Sequence, residues 1–284
     1  MASQLPGPAG APTPLAPPSA PPAWAALTDR GRVRGNNEDA WGAFALEEGP
    51  VPLAARPEGW PRHGVLFVVS DGMGGARAGE EASRFCIERL PVELLAHLGA
   101  GGGEAALDAA LRATHAALTA AGLGNPAWHG MGATLSTLWL RPPGAALLGH
   151  VGDSRIYGRH AGAWRRCTED HTLGEGLVRR GTMTPEAAAA FRFRSLLEQV
   201  MGGDGRALAP QVAPVPWQPG DAAVLCSDGL YRALDGDLEP RLAAAVREAR
   251  LEDGARGLVD AANAAGGPDN ITVLLVRAAE AGEA

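Results

Sequence analysis

Short apolar runs broken by turn residues dominate the chain. The longest are Val65 to Ser70, Ala133 to Leu140, Ala145 to Val151, Ala222 to Cys226 and Ile271 to Arg277, with Trp41 to Leu46 and Ser154 to Gly158 as briefer examples. Runs of this length, bounded by Gly, Asp, Asn and Pro, read as strands packed in a core. Apolar spacing of three and four predicts helices over Gly79 to Leu90, through Leu107, Leu111, Thr114 and Leu118, and in Pro240 to Arg250 and Asp253 to Ala264. Pro91 is expected to end or kink the first of these, because it lacks the N–H that a helix interior uses. Strands come early, two helices follow, strands then cluster, and helices return before a last strand. This order lacks the steady alternation of a doubly wound sheet and predicts an α+β fold. Thr172 to Gly205 departs from the pattern, with two short helical pieces around Gly181 and Pro185 and the segment Phe191-Arg-Phe-Arg194. It reads as an excursion from the core, either functional or a plain surface elaboration. No internal repeat is present, which argues against a solenoid or propeller.

Asp71, Asp153, Asp228 and Asp269 each stand at an end of one of the apolar runs, beside a glycine or an asparagine. Carboxylates gathered at strand ends repel one another unless a cation holds them, and hard oxygen ligands of this kind suit Mg²⁺ or Mn²⁺. In Asp71-Gly-Met-Gly-Gly75 the missing side chains let a metal or phosphate approach the backbone. Taken singly, this motif and Ser227-Asp-Gly229 are equally well read as ordinary turns. Arg34-Gly-Asn-Asn-Glu-Asp39 places one guanidinium near two carboxylates, Glu38 and Asp39. A guanidinium fork matches a phosphate dianion, although a solvated charged turn would look the same.

Composition narrows the choices. Residues 1–24 are almost wholly Pro, Ala, Gly and Ser and read as a disordered tail, without the basic start and apolar core of a signal peptide. With no later segment of membrane-spanning length, the expectation is a cytoplasmic, soluble monomer with no membrane partner. Cys86, Cys167 and Cys226 form no CxxC pair and indicate neither a disulfide framework nor a zinc site. A net charge of −7 and a pI near 5.5 argue against nucleic acid as the main partner. The chain contains no lysine, which excludes P-loop nucleotide hydrolysis and Schiff-base chemistry.

Arg34, Asn37-Glu-Asp39, Asp71-Gly-Met-Gly-Gly75, Gly130-Met-Gly-Ala-Thr134, Gly152-Asp-Ser-Arg155, Glu169-Asp-His171, Ser227-Asp-Gly229 and Asp269-Asn270 occur in that order. The set resembles the PP2C-type, metal-dependent protein serine/threonine phosphatases in their bacterial form. The likeness spans Leu27 to Arg277. It implies a four-layer α-β-β-α sandwich, two antiparallel sheets flanked by helices, over residues 25–278. Residues 172–205 would be a flap-like excursion, and 279–284 a disordered end. It further implies that Asp71, Asp228 and Asp269, with the carbonyl of Gly72, bind two Mg²⁺ or Mn²⁺ ions. Glu38 and Asp39 would act through water, and Asp153 with Asp228 would hold a third, weaker ion. Arg34 would clamp phosphate, and a hydroxide bridging the ions would attack phosphorus in line. Substrates would be phosphorylated proteins, the products of a bacterial serine/threonine kinase, with Arg192 and Arg194 receiving an acidic phosphopeptide or lying on a solvated surface. Met73 stands where some members carry a histidine that protonates the leaving oxygen, and a thioether has no proton to donate. Water on the third ion would then supply it. His171 is read as fixing its loop through hydrogen bonds, and the other histidines show no metal-ligand spacing. Two alternatives remain open: a catalytically silent phosphoprotein-binding module, and a phosphatase of a small phosphoester.

Overall fold

Alternation along the central strands sets the layering. In β4 (Val65–Met73), Val65, Phe67 and Val69 join one buried cluster while Leu66 and Val68 join another. In β13 (Ile271–Arg277), Leu274 and Val276 meet the first of those clusters, whereas Ile271, Val273 and Leu275 enter a third. Successive side chains on a strand point to opposite faces, so both strands are covered on both sides.

The computed structural model describes residues 18, 20–74, 78–99, 101–142 and 144–280. One sheet has the order β1 (Ala23–Asp29), β13, β12 (Ala222–Cys226), β8 (Arg155–His160), β9 (Ala163–Arg166). The other runs β10 (Met201–Gly202), β5 (Gly132–Ala133), β4, β6 (Leu135–Arg141), β7 (Ala145–Val151), β11 (Gln211–Val215). In that sheet β2 (Asp39–Leu46) pairs with β4, and β3 (Pro50–Pro52) with β2. All of these pairings are antiparallel. The sheets face each other across a seam that includes Phe67, Val69, Leu138, Leu148, Ile156, Trp217, Leu225 and Leu274. Helices α1 (Ala78–Ala96) and α2 (Gly103–Gly124) pack on the outer face of the larger sheet. Helices α5 (Asp228–Ala233), α6 (Leu238–Ala245) and α7 (Leu251–Ala264) cover the outer face of the smaller one. The molecule is therefore the α-β-β-α sandwich that the resemblance implied.

The excursion carries α3 (Leu173–Arg179) and α4 (Pro185–Ala189), whose N-termini are capped by the Thr172 and Thr184 hydroxyls. Its two ends are pinched together. Thr172 bridges Leu197, and the Glu198 N–H donates to the His171 carbonyl at 2.8 Å. The loop thus leaves the core and returns to it at one place, beside the carboxylate-bearing strand ends.

Two expectations are corrected. Strand β1 begins at Ala23, inside the stretch read as tail, and its whole length pairs with β13 from Ala23↔Arg277 to Asp29↔Ile271. Pro91 does not end α1, which runs on to Ala96. Cys86, Ile87, Leu90 and Leu94 are all buried against the sheet on either side of it, and this packing offsets a cost of about 3 kcal/mol for an interior proline. Most of the tail, residues 1–17 and 19, and residues 281–284 lie outside the described residues, as does Gly75 of the glycine-rich turn. Among the described residues no helix is long and apolar enough to cross a membrane.

Candidate metal centre

The carboxylates singled out from the sequence meet at one edge of the sandwich. Asp39, first residue of β2, is the cross-strand partner of Asp71 near the end of β4. Asp153 lies in the β7–β8 turn, Asp228 opens α5 directly after β12, and Asp269 stands just before β13. Strands of both sheets therefore deliver acidic residues to the same end of the seam.

Their electrostatics are those of a crowded pocket. Burial pushes the Asp39 carboxyl up to about 7, and the charges of Asp228 and Asp269 add to that. Hydrogen bonds from Ser227 and Thr272 pull it the other way. Asp153 is likewise raised to about 7 by burial and by Asp228. Enclosure raises Asp71 well above the usual carboxylate range, with Asp39, Asp228, Asp153 and Asp269 all pushing in the same direction. Asp228 is raised by burial against the opposing pull of Arg232. Asp39 Oδ1 and Asp228 Oδ1 are buried with no hydrogen-bond partner among the described residues.

The frame around these groups is rigid. The Ser227 hydroxyl donates to Asp39 Oδ2 at 2.6 Å. The Asn270 side chain closes the loop that carries Arg34, Glu38 and Asp39. Its Oδ1 accepts from the Glu38 N–H at 2.8 Å, and its Nδ2 donates to the carbonyls of Arg30 and Asn36, each at 2.9 Å. Asn37 braces the same loop, donating from Nδ2 to Thr28 Oγ1 at 2.8 Å and accepting from the Asp39 N–H at 3.2 Å. The Glu38 carbonyl accepts from the Gly72 N–H at 3.1 Å and from Ser83 Oγ at 2.6 Å. Gly72 must be glycine, since a Cβ there would stand 1.9 Å from the Gly79 carbonyl oxygen. Gly229 faces the same constraint, with the Asn270 carbonyl oxygen 2.0 Å from where its Cβ would be.

A second buried network abuts the carboxylates. The Asp71 N–H donates to Thr134 Oγ1 at 2.9 Å, the Thr134 N–H donates to the Asp71 carbonyl at 2.8 Å, and Ser70 Oγ donates to the Thr134 carbonyl at 2.6 Å. Thr134 Oγ1 also lies 2.7 Å from Ser154 Oγ. Nearby, His150 Nε2 donates to the Glu169 carbonyl at 3.1 Å, which leaves Nδ1 to accept from Ser136 Oγ at 2.8 Å. Burial and the neighbouring His171 hold His150 down at about 3, so its ring is neutral. His171 Nδ1 accepts from the Gly152 N–H at 3.3 Å and its own N–H donates to the Gly152 carbonyl at 2.7 Å, which fixes the turn bearing Asp153. His171 thus holds its loop through hydrogen bonds, as the sequence suggested.

Two arginines take up carboxylate oxygens. Arg34, exposed at the mouth, donates to Asp269 Oδ2 at 2.7 Å. Arg232 donates to Asp153 Oδ2 and to Asp228 Oδ2, each at 2.9 Å. No three His, Cys, Asp or Glu side chains already converge as a ligand set among the described residues. The donor set nevertheless fits a hard divalent cation: it is all oxygen, mutually repelling, and has two orphaned carboxylate oxygens in the interior. Sequence reasoning missed Arg232. The available signal was its place four residues after Asp228, the spacing that brings side chains together on one helix face.

Two grooves flank the centre. One, of about 640 Å³, runs between α5 and the excursion and is lined by Arg155, Asp170, Arg194, Ser195, Tyr231 and Arg232 among others. The other, of about 750 Å³, includes Met73, His115, Leu123 and Leu196.

Known proteins share this arrangement of sequence and fold. A family model described as Protein phosphatase 2C matches residues 59–261. The serine/threonine protein phosphatase PstP of Mycobacterium tuberculosis is 35% identical over 256 residues, covering 89% of this chain but only 44% of PstP. The chain thus spans less than half the length of that relative. The serine/threonine phosphatase stp of Listeria innocua is 32% identical over 253 residues, covering 88% of this chain and 93% of its own. Among solved structures, the catalytic domain of PstP in complex with 2 manganese ions superposes with a TM-score of 0.69 at 32% identity, covering 90% of this chain and 98% of that one. The chain belongs to the protein phosphatase 2C family.

Proposed function

We propose that the protein hydrolyses phosphoserine and phosphothreonine in proteins, with Mg²⁺ or Mn²⁺, and so reverses a serine/threonine kinase. The observation that carries this reading is the meeting of Asp39, Asp71, Asp153, Asp228 and Asp269 at one sandwich edge with Arg34 at its mouth. Asp71, Asp228, Asp269 and the Gly72 carbonyl would hold two ions, with Glu38 and Asp39 acting through water. When bound, such ions supply a nucleophilic water at neutral pH and offset the charge of the phosphoryl group. The chain's own groups do the rest. Arg34 presents a planar fork to the phosphate oxygens, and its contact with Asp269 holds it ready at the mouth. Asn270 fixes the loop on which Arg34, Glu38 and Asp39 ride. Ser227 orients Asp39, and Thr134 sets the backbone from which Asp71 projects. Met73 has no proton to give, so the leaving oxygen takes its proton from water. The groove beside Arg232 and Arg194 offers room for the polypeptide that flanks a phosphorylated residue.

The test is turnover of a phosphoserine peptide and of p-nitrophenyl phosphate by the purified chain with Mn²⁺ and with chelator. The expected result is hydrolysis of both, lost on chelation. Turnover of the small ester alone would shift the reading to a small-molecule phosphatase. A folded, metal-loaded protein that binds the phosphopeptide without turnover would make it a silent binding module.

A further inference from the structure

Arg232 stands apart from the other cations near the site. It projects from the last turn of α5, one turn beyond Asp228, and its guanidinium spans two carboxylates that lie 75 residues apart in sequence. Both contacts are 2.9 Å, one from each terminal nitrogen, to Asp153 Oδ2 and Asp228 Oδ2. The two carboxylates are nearly withdrawn from solvent, with side-chain exposures of 7% and 12%, while Arg232 keeps 45% of its own exposure toward the groove. The surrounding groups prepare this bridge. The Tyr231 hydroxyl donates to the Asp153 carbonyl at 3.0 Å, tying the β7–β8 turn to α5. Arg155 lies 3.7 Å over the Tyr231 ring while its fork is engaged by Asp170 at 2.7 Å, so the second nearby guanidinium is already committed elsewhere.

A guanidinium cannot lose its proton at any ordinary pH and occupies a fixed plane, so a carboxylate pair bridged in this way is permanently neutralised in part. A divalent ion that bound the same two carboxylates would have to displace it. We propose that Arg232 is a tethered cation that takes the place of a third metal ion between Asp153 and Asp228, so that the protein binds two divalent ions and admits a third only when Arg232 swings into the groove. Arg232 is in this sense a positioning residue: it engages Oδ2 of Asp153 and of Asp228, leaves Asp228 Oδ1 to the two-ion site, and does not touch the reacting atoms. This inference rests on the two-ion reading of the centre given above, and it replaces the third ion that the family resemblance implied.

Mn²⁺ binding to the metal-stripped chain tests it, with free Mn²⁺ followed by electron paramagnetic resonance and bound metal counted after equilibrium dialysis. The wild type should saturate at about two ions, as in the manganese-bound relative. Arg232→Ala and Arg232→Gln should each gain a third site at least roughly ten-fold tighter than any third uptake by the wild type, the scale expected when a charge in direct contact with the pair is removed. Asp153→Asn should abolish that third site in the Arg232→Ala background and leave the wild-type count unchanged. Circular dichroism establishes that each variant is folded, and Arg232→Gln, which keeps a polar, uncharged amide on a shorter stem, serves if Arg232→Ala is not. A wild type that takes up three ions as tightly as the variants overturns the role of Arg232 alone. A wild type that takes up none overturns the two-ion reading with it.

Discussion

Two buried polar regions lie side by side at the edge of the sandwich and are built on opposite terms. In the Ser70–Thr134–Ser154 and Ser136–His150 network, hydroxyl, backbone and ring donors meet acceptors at 2.6 to 3.1 Å, and His150 stays neutral. Among the carboxylates, Asp39 Oδ1 and Asp228 Oδ1 have no partner among the described residues, and burial, with like charges adding to it, pushes Asp39, Asp71, Asp153 and Asp228 upward together. A satisfied network rigidifies its surroundings, whereas an unsatisfied one stores free energy that a ligand can release. The contrast separates scaffold from binding site without reference to any relative, and the two regions share one residue, since Asp71 takes its backbone hydrogen bonds from the first and its charge problem from the second.

Substitutions should pull the two regions apart. The largest effect is expected from Asp71→Asn or Asp228→Asn, which should lower kcat on a phosphopeptide by roughly 10³-fold, the upper range for loss of one preorganised charge-stabilising group. The same variants should melt at a higher temperature than wild type in chelator, because a repelling charge is gone. A lower melting temperature there would show that the cluster is not strained. Next, Thr134→Val should destabilise the fold by about 1–3 kcal/mol in urea titration, since it strands the Asp71 N–H and Ser154 Oγ. Its activity per folded molecule should fall far less than in Asp71→Asn.

The pH dependence of the metal-free protein sharpens the contrast, because the two regions have opposite signs. Unfolded aspartates ionise near about 3.9, whereas Asp39 and Asp153 in the fold ionise at about 7. Between those limits the native state holds more protons than the unfolded state, so these groups make stability fall as pH rises, by at most about 1.4 kcal/mol per pH unit each. His150 works the other way. Unfolded histidine is protonated below about 6.5 while the buried ring resists protonation down to about 3, so its contribution is lost as pH falls through that window. His150→Gln should therefore steepen the decline of stability with rising pH, and Asp153→Asn should flatten it, as read from denaturation midpoints in chelator. Mn²⁺ should flatten the carboxylate limb in the wild type. The smallest change is expected from Arg34→Ala, with KM raised about ten-fold and Mn²⁺ affinity no weaker, since Arg34 contacts Asp269 from the solvent side.

Much of this was legible in the chain because strands buried on both faces are written as short continuous apolar runs between turn residues. Ala222–Cys226 and Ile271–Arg277 are bounded as their apolar runs predict, and the aspartates at strand ends meet where strand ends meet. What stayed hidden depends on partners remote in sequence. Strand β1 has the composition of the alanine-rich stretch before it, and only its pairing with β13 makes it a strand. Pro91 is tolerated because packing on the sheet outweighs a local preference, which no local signal reports. Arg232 reads as an ordinary charge on a short helix until Asp153 is folded against it. His150 showed no ligand spacing, yet its two ring hydrogen bonds make it a joint of the scaffold.

Among the described residues, strand β1 lies at the edge of its sheet and has β13 as its only neighbour in the strand order. Thr28 and Thr272, hydroxyls 2.7 Å apart in the fold, are separated by 244 residues of chain. At synthesis rates of about 5–20 residues per second, the first strand waits on the order of 10–50 s for the one that receives it. Asn270, which clips the Arg34 loop in place, arrives with that same late segment. The machinery at the sandwich edge is therefore completed only once the segment that carries Asn270 and β13 has been made.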